Sequence, residues 1–213
     1  MSVSVPNGST VAIASGYAAS LAMSALTNAL PAVATTATNT YAASDILEVT
    51  SGWSRLTNKI VRLSAAASTS ASFEGIDTSL TSIYPASGGT GSVRKITGWT
   101  QLAQILTSSS TGGDQQFLTY QFLESDAQKQ IPTFKAASGI SFSIADDSTQ
   151  PGYILAATAN DDRLPRAVKI TLPSGGVILY NAYISLNKTP SLTVNELMAC
   201  QVTLSLLAEV VRY

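Results

Sequence analysis

Apolar and polar residues alternate with a period of two through much of the second half of the chain, the spacing that turns one face of a β-strand toward a core and the other away from it. Val168, Ile170 and Leu172 alternate with Lys169 and Thr171, Pro173-Ser174-Gly175-Gly176 follows as a turn, and Val177 to Leu186 resumes as a strand rich in Val, Ile and Tyr. This order predicts a hairpin. Val202, Leu204 and Leu206 alternate with Gln201, Thr203 and Ser205 to give an apolar face and a hydroxyl face, and Gly139 to Ile144 repeats the same logic.

The pattern changes between Ile144 and Val168. Asp146, Asp147, Ser148 and Thr149 precede Pro151, a combination suited to a helix start. The apolar run Tyr153 to Ala159 then predicts a short helix that ends at Asn160-Asp161-Asp162 and Pro165, with Ile154, Leu155 and Ala159 packed across a sheet. Upstream, Thr107 to Gly113 reads as a flexible polar stretch. Gln115 to Gln130 mixes Phe117, Tyr120 and Phe122 with Glu124, Asp126 and Lys129, so this long excursion either binds something or presents Leu118, Tyr120 and Phe122 as one face of a hairpin in its own subunit.

Residues 26–86 behave as a separate unit. Short candidate strands fall at Pro31 to Thr35, Asp45 to Val49, Lys59 to Leu63 and Ser72 to Gly75, and Ser87 to Ser92 reads as a flexible Gly-rich exit. Short strands with frequent turns predict a small barrel or open sandwich inserted into a larger domain. The expected organisation is 1–25 and 87–213 as the main domain and 26–86 as the insertion, mainly β with one short helix.

Composition narrows the function. Charged residues make up only 12% of the chain, so its surface either stays soluble through hydroxyls and amides or is covered by partners, the second being preferred here. Twelve Lys and Arg against thirteen Asp and Glu leave no basic excess to neutralise a row of phosphates, which argues against tight nucleic-acid binding. Val11 to Ala34 is uncharged but dominated by small and polar residues, and no basic region precedes it, so it reads as part of a soluble domain rather than a membrane span; the Ala-Val-Ala near Pro31 leaves a cleaved leader as the alternative. Cys200 is the single cysteine and reads as a core residue, with no disulfide within one chain.

The chain has no histidine, which removes the commonest general base, the Ser-His and Cys-His nucleophile pairs and the usual zinc sites. Asp146-Asp147 and Asp161-Asp162 read as a helix lead-in and a solvated turn rather than an acid pair for glycoside cleavage. Neither sits in the frame of a calcium loop. Ser87 to Ser92 lacks the Lys of a phosphate-cradling loop. Trp53 and Trp99 read as core anchors. No catalytic residue, cofactor or metal is expected.

Arg166 to Leu186, followed by Pro190-Ser-Leu-Thr-Val-Asn-Glu-Leu-Met198 and the Gln201 to Leu206 strand, resembles the C-terminal half of major tail tube proteins from long, non-contractile bacteriophage tails. Gly152 to Asp162 stands where that family has its helix, and Trp99-Thr-Gln-Leu-Ala where a strand precedes its long loop, so the resemblance spans about Ser92 to Tyr213. Residues 26–86 are similar to a small β module grafted into phage proteins, with Asn39-Thr40-Tyr41 in place of that module's His-Gly turn.

The resemblance implies a tail-tube β-sandwich or half-barrel and a virion subunit assembled in the host bacterial cytoplasm. It implies self-association into stacked hexameric rings, contacts with tape measure, tail terminator and tail tip proteins, and transient passage of double-stranded DNA without tight binding or any membrane. Thr107 to Ala136 then corresponds to the ring-stacking loop, with Gly113, Asp114, Phe117, Tyr120, Phe122, Glu124, Asp126 and Lys129 as its candidate residues. Glu124, Asp126, Asp146 and Asp147 are expected to contribute to an acidic bore or to ring contacts. The competing readings are a β-sandwich adhesin or carbohydrate-binding module, and the tube subunit of a contractile injection machine.

Overall fold

The computed structural model describes residues 7–213. Along the chain the elements are β1 (Thr10–Tyr17), β2 (Leu21–Leu26), β3 (Ala32–Thr36), β4 (Ile46–Ser51), β5 (Ile60–Ala67), β6 (Ser70–Phe73), β7 (Gly91–Leu102), β8 (Ile105–Thr111), β9 (Gln115–Tyr120), β10 (Lys129–Lys135), β11 (Gly139–Ala145), α1 (Pro151–Asp162), β12 (Arg166–Thr171), β13 (Val177–Asn187), β14 (Ala199–Leu206) and β15 (Val211–Arg212). The fold is mainly β with one helix, as the alternation predicts.

Strand β7 serves two sheets. Its first half, from Gly91, pairs with β2 and β4, and its second half, from Ile96 to Leu102, pairs with β1. The division coincides with a bulge in β1 between Ala14 and Tyr17, where Gly16 lies opposite Gly98. A bulge bends its strand and sharpens the local twist, which lets β7 leave one sheet and enter the other.

The first sheet runs β2-β3-β6-β5-β4-β7 and closes through β2–β7 pairing into a six-stranded barrel. Closure leaves none of these strands with an open margin. Met23, Leu47, Val49, Leu63, Phe73 and Val93 fill its interior. Each such side chain contributes about 1.5–3 kcal/mol by leaving water. Trp53 is buried there and its Nε1 donates to the Pro85 carbonyl at 2.9 Å.

The Ser87 to Ser92 stretch is not a flexible exit. A Cβ at Gly89 would sit 2.9 Å from the Trp53 ring, and one at Gly91 only 2.0 Å from the Thr50 carbonyl oxygen. These glycines allow backbone and ring to approach, a packing requirement that composition cannot distinguish from a linker.

The second sheet runs β7-β1-β12-β13-β14-β11-β8, with β15 beside β13. Only Ala103 and Gln104 separate β7 from β8, yet those strands stand at opposite ends of the order. So short a link requires the sheet to curl, giving a half-barrel with α1 packed against β13, β7 and β1. Ile13, Leu102, Phe142, Ile144, Val168, Ile184, Val202 and Leu204 form its core with Ala156 and Ala159 of the helix. Cys200 is buried in the same core.

The opposite face of this sheet carries a third cluster. Ala14, Ile96, Ala167 and Leu179 meet Ile60 there, so the barrel is seated on the outside of the half-barrel. Strand β12 therefore buries Val168 on one face and Ala167 on the other.

Two further expectations are corrected. Helix α1 runs from Pro151 to Asp162, as the start at Pro151 and the end at Asn160-Asp161-Asp162 predict, but Ile154 points to solvent while Tyr153, Leu155, Ala156 and Ala159 face the sheet. Asp146 and Asp147 lead into the helix, whose N-cap is Gln150 and makes no side-chain capping bond. Thr107 to Thr111 is not flexible coil but most of β8, since pairing with β11 satisfies a backbone that its hydroxyl-rich sequence would leave to solvent. Only Gly112 and Gly113, at φ +71° and +84°, form the turn that follows.

Candidate functional site: a hydroxyl-lined sheet face, an open strand and a projecting hairpin

Strands β13, β14, β11 and β8 lie side by side, and alternation turns every second residue away from the core. The registers align these residues in rows: Asn187, Gln201, Ser143 and Thr107; Ser185, Thr203, Ser141 and Ser109; and Tyr183, Ser205, Gly139 and Thr111. No side chain in the three rows is charged. Ser141 Oγ and Thr203 Oγ1 stand 3.5 Å apart across the β11–β14 pair. A shallow hollow of about 440 Å³ opens on this face, lined by Thr107, Ser109, Ser141, Ser143 and Gln201 among others. Hydroxyls and amides there offer donors and acceptors to water without holding any ion.

Strand β8 ends the sheet. It pairs with β11 on one side, and among the described residues no strand occupies its other side. From Leu106 to Thr111 it is exposed. A six-residue exposed margin is a template for strand addition, which proteins ordinarily block with charges or a bulge. None of its residues is charged.

The chain leaves β8 through Gly112 and Gly113 into a two-stranded sheet made by β9 and β10 alone. Of the expected loop residues, Asp114 closes the base by accepting from the Ala136 N–H, Phe117 and Tyr120 lie on β9, and Lys129 begins β10 opposite Tyr120. Phe122, Glu124 and Asp126 occupy the connecting tip, where Phe122 meets Tyr120 edge to face. Phe117, Leu118, Phe122, Ile131 and Phe134 are each about half exposed or more, and Leu123 is fully exposed. Among the described residues, nothing covers the apolar side chains of the hairpin. Isolated two-stranded hairpins have marginal stability, and exposed apolar residues of this kind are a common mark of an interaction surface.

Asp146 and Asp147 follow β11 at one end of the hydroxyl face. Asp146 Oδ1 accepts from the Cys200 thiol, whose pKa is pushed up by burial and then by that carboxylate. Asp147 accepts from the Thr149 hydroxyl and from Gln150, and these bonds hold its carboxyl below the usual range. Asp161 pairs with Lys188 and Asp162 with Arg166, so the second acidic pair ties α1 to its surroundings. No group of three or more metal-ligating side chains gathers among the described residues, and no described helix is long and apolar enough to cross a membrane.

The rows on β11 and β14 were legible as alternation. Those on β8 were missed because Thr107 and Ser109 carry no apolar partners in sequence, and only the β11 register reveals their face. Arg55, Lys59 and Lys135, which gather near the hairpin base, carried no sequence signal because they come from distant segments.

Among solved structures, the chain is similar to a protein of the anti-feeding prophage baseplate at 10% identity, covering 55% of this chain and 85% of that one with a TM-score of 0.40. It is also similar to a chain of the sheath/tube terminator of an extracellular contractile injection system, PVC, at 16% identity, with 49% and 83% covered and a TM-score of 0.37. No curated protein matches. The profile of the phage tail tube protein family matches residues 51–213, and with about three quarters of its length so accounted for, the chain belongs to that family.

Proposed function

We propose that the protein is the structural subunit of the tube of a long, non-contractile phage tail, forming hexameric rings that stack around a channel for double-stranded DNA. The observation that carries this reading is the uncharged row face beside an unpaired margin of β8. Strand addition at β8 by a neighbouring copy extends the half-barrel around an axis, and repetition of one heterologous contact closes a ring. Ring closure removes the open edge, and the row face becomes the lining.

Such a lining suits passage. A cationic wall would hold phosphates through counterion release, whereas hydroxyls and amides hold water and offer no ionic anchor. Asp146, Asp147, Glu124 and Asp126 add negative charge at the ends of the channel or at ring contacts, which also discourages DNA from lingering. The barrel, whose strands enclose most of residues 26–86, is an inserted unit projecting outward, since a lumenal position would block the channel. Gly113 to Lys129 supplies contacts between rings. The role is structural rather than catalytic, its setting is the virion after assembly in the host cytoplasm, and its partners are further copies together with tape measure, terminator and tip proteins.

Negative-stain electron microscopy of the purified protein tests this directly. Rings or tubes with a central channel are expected; a monodisperse monomer at millimolar concentration with no annular or filamentous object overturns the reading. Deleting Gly113 to Lys129 is expected to leave a folded subunit that no longer polymerises, and normal tubes from that variant would remove the hairpin from ring stacking.

A further inference from the structure

At the foot of the hairpin, on the side of the barrel, lies a cleft of about 450 Å³. Arg55 and Asn58 of the β4–β5 connection line one wall, Phe134 and Lys135 of β10 a second, and Leu207 and Glu209 a third. Lys59 stands close enough for Arg55, Lys135 and Glu209 all to act on its charge. Three cations thus surround a single carboxylate. Glu209 is taken by Lys135, and neither Arg55 nor Lys59 has an ion-pair partner among the described residues. Burial of Lys59 lowers its pKa, and Arg55 and Lys135 nearby act in the same direction.

The matching charge is at the other end of the same hairpin. Glu124 and Asp126 sit on the tip beside Phe122 and Leu123, and neither acid is ion-paired among the described residues. The six residues of β9 carry that tip roughly 20 Å from the base, too far for it to turn back into its own cleft. A second copy has no such limit. Both elements are mixed in character, with exposed Phe122 and Leu123 beside the acids and Phe134 and Leu207 beside the cations, so apolar burial and charge pairing can form together.

We infer that the tip of one copy, through Glu124 and Asp126, docks into the cleft that Arg55 and Lys135 line, beside Lys59, on a second copy. The contact is heterologous, tip to base, so every bound copy presents a fresh tip and a fresh cleft, and the series has no natural end. This rests on the proposal that the hairpin joins successive rings, and gives that junction its receptor and its chemistry. It also assigns the barrel a part in stacking, because Arg55 and Lys59 belong to it.

Charge reversal in the full chain tests the pairing. E124K/D126K and R55E/K135E are each expected to remain folded by circular dichroism and to cut the rate of tube growth, read by light scattering, about tenfold or more, since like charges then meet at the junction. Mixed in equal amounts, the two variants present a basic tip to an acidic cleft and an acidic tip to a basic cleft, and growth is expected to return. K59Q, which removes charge without reversing it, should slow growth less and should weaken its dependence on salt. If deletion of Gly113 to Lys129 stops growth while both reversals grow like the parent, or the mixture is no faster than either alone, the docking is wrong and the stacking role of the hairpin stands. If the deletion itself grows tubes, the stacking role falls and the docking with it.

Discussion

The side-chain amide of Asn181, on β13 of the half-barrel, donates to Glu48 Oε1, on β4 of the barrel, at 3.1 Å across 133 positions of sequence. The same amide reaches the Asn58 carbonyl at 3.0 Å, and Glu48 is buried and paired with Arg94 of β7. Two structural units are thus joined by a carboxylate satisfied from both sides. Removing it leaves the Arg94 guanidinium without its carboxylate and the Asn181 amide with only its bond to Asn58, in a partly dry seam.

Glu48→Ala is therefore expected to lower unfolding stability by about 3 kcal/mol, with Glu48→Gln losing less because an amide oxygen still accepts. Urea unfolding at constant m-value checks this. A loss under about 0.5 kcal/mol would show that water replaces the carboxylate freely.

Gly91→Ala forces a methyl onto the Thr50 carbonyl, backbone against backbone, and no side-chain rotation relieves it. Gly175 sits at φ +84° with no atom within 4 Å of a built Cβ, so Gly175→Ala meets conformational strain alone. The first is expected to cost about 3 kcal/mol and the second about 1–2. Equal melting temperatures for the two variants would contradict the tight approach of β4 and β7.

Because β7 runs through both sheets and the seam between them is buried, barrel and half-barrel should unfold together. Phe73→Ala, deep in the barrel, is expected to remove about 3–5 kcal/mol. In single-tryptophan forms, Trp53 reports on the barrel and Trp99 on the half-barrel; both midpoints should shift equally. Separate transitions would mean that the continuous strand does not couple them.

The pH profile follows from the acids. Glu74 is held below its ordinary pKa by hydrogen bonding to Arg62, Glu209 by Lys135, and Asp162 by the Leu164 N–H and then Arg166. A depressed carboxyl pKa contributes stability that is fully present above the unfolded value and lost as pH falls through the folded one. Tyr17 and Tyr213 are raised by burial, and their contribution is lost only above about pH 10. With no histidine to titrate between them, stability should be flat from about pH 5 to 9 and fall below about pH 4. A stability step near pH 6.5 in thermal scans would reveal a titrating group other than these acids and tyrosines.

Ser141→Lys and Thr203→Lys place ammonium groups on the row face, away from the core. Tubes of the double variant are expected to retain added double-stranded DNA in a salt-dependent way, while parent tubes release it. Co-sedimentation at several salt concentrations reads the difference, and equal retention would show that this face does not line the channel.

Much of the molecule was legible in residue order. Alternation located β11, β12, β13 and β14, the Pro-Ser-Gly-Gly run the turn between β12 and β13, and Pro151 the helix start, because each depends on neighbours a few positions away. The hairpin residues from Gly113 to Lys129 stood out for the same reason: aromatic and charged side chains share a stretch with no periodic core face. Strand β8 did not stand out, since Ser and Thr declare no face until a partner supplies one. Nor did Gly89 and Gly91, whose role is set by Trp53 and Thr50, more than thirty positions away.

By itself, the sequence determined a mainly β chain without histidine chemistry, poor in charge, with strands apolar on one side and hydroxylic on the other. Those are local or additive properties, and side-chain period and composition carry them. Only the tertiary structure decided that β7 joins a closed barrel to a half-barrel, that four strands align their hydroxyls in uncharged rows, and that β8 is left with one side unpaired. These depend on register and strand order, which long-range hydrogen bonding and burial select from many pairings that the same alternation would permit.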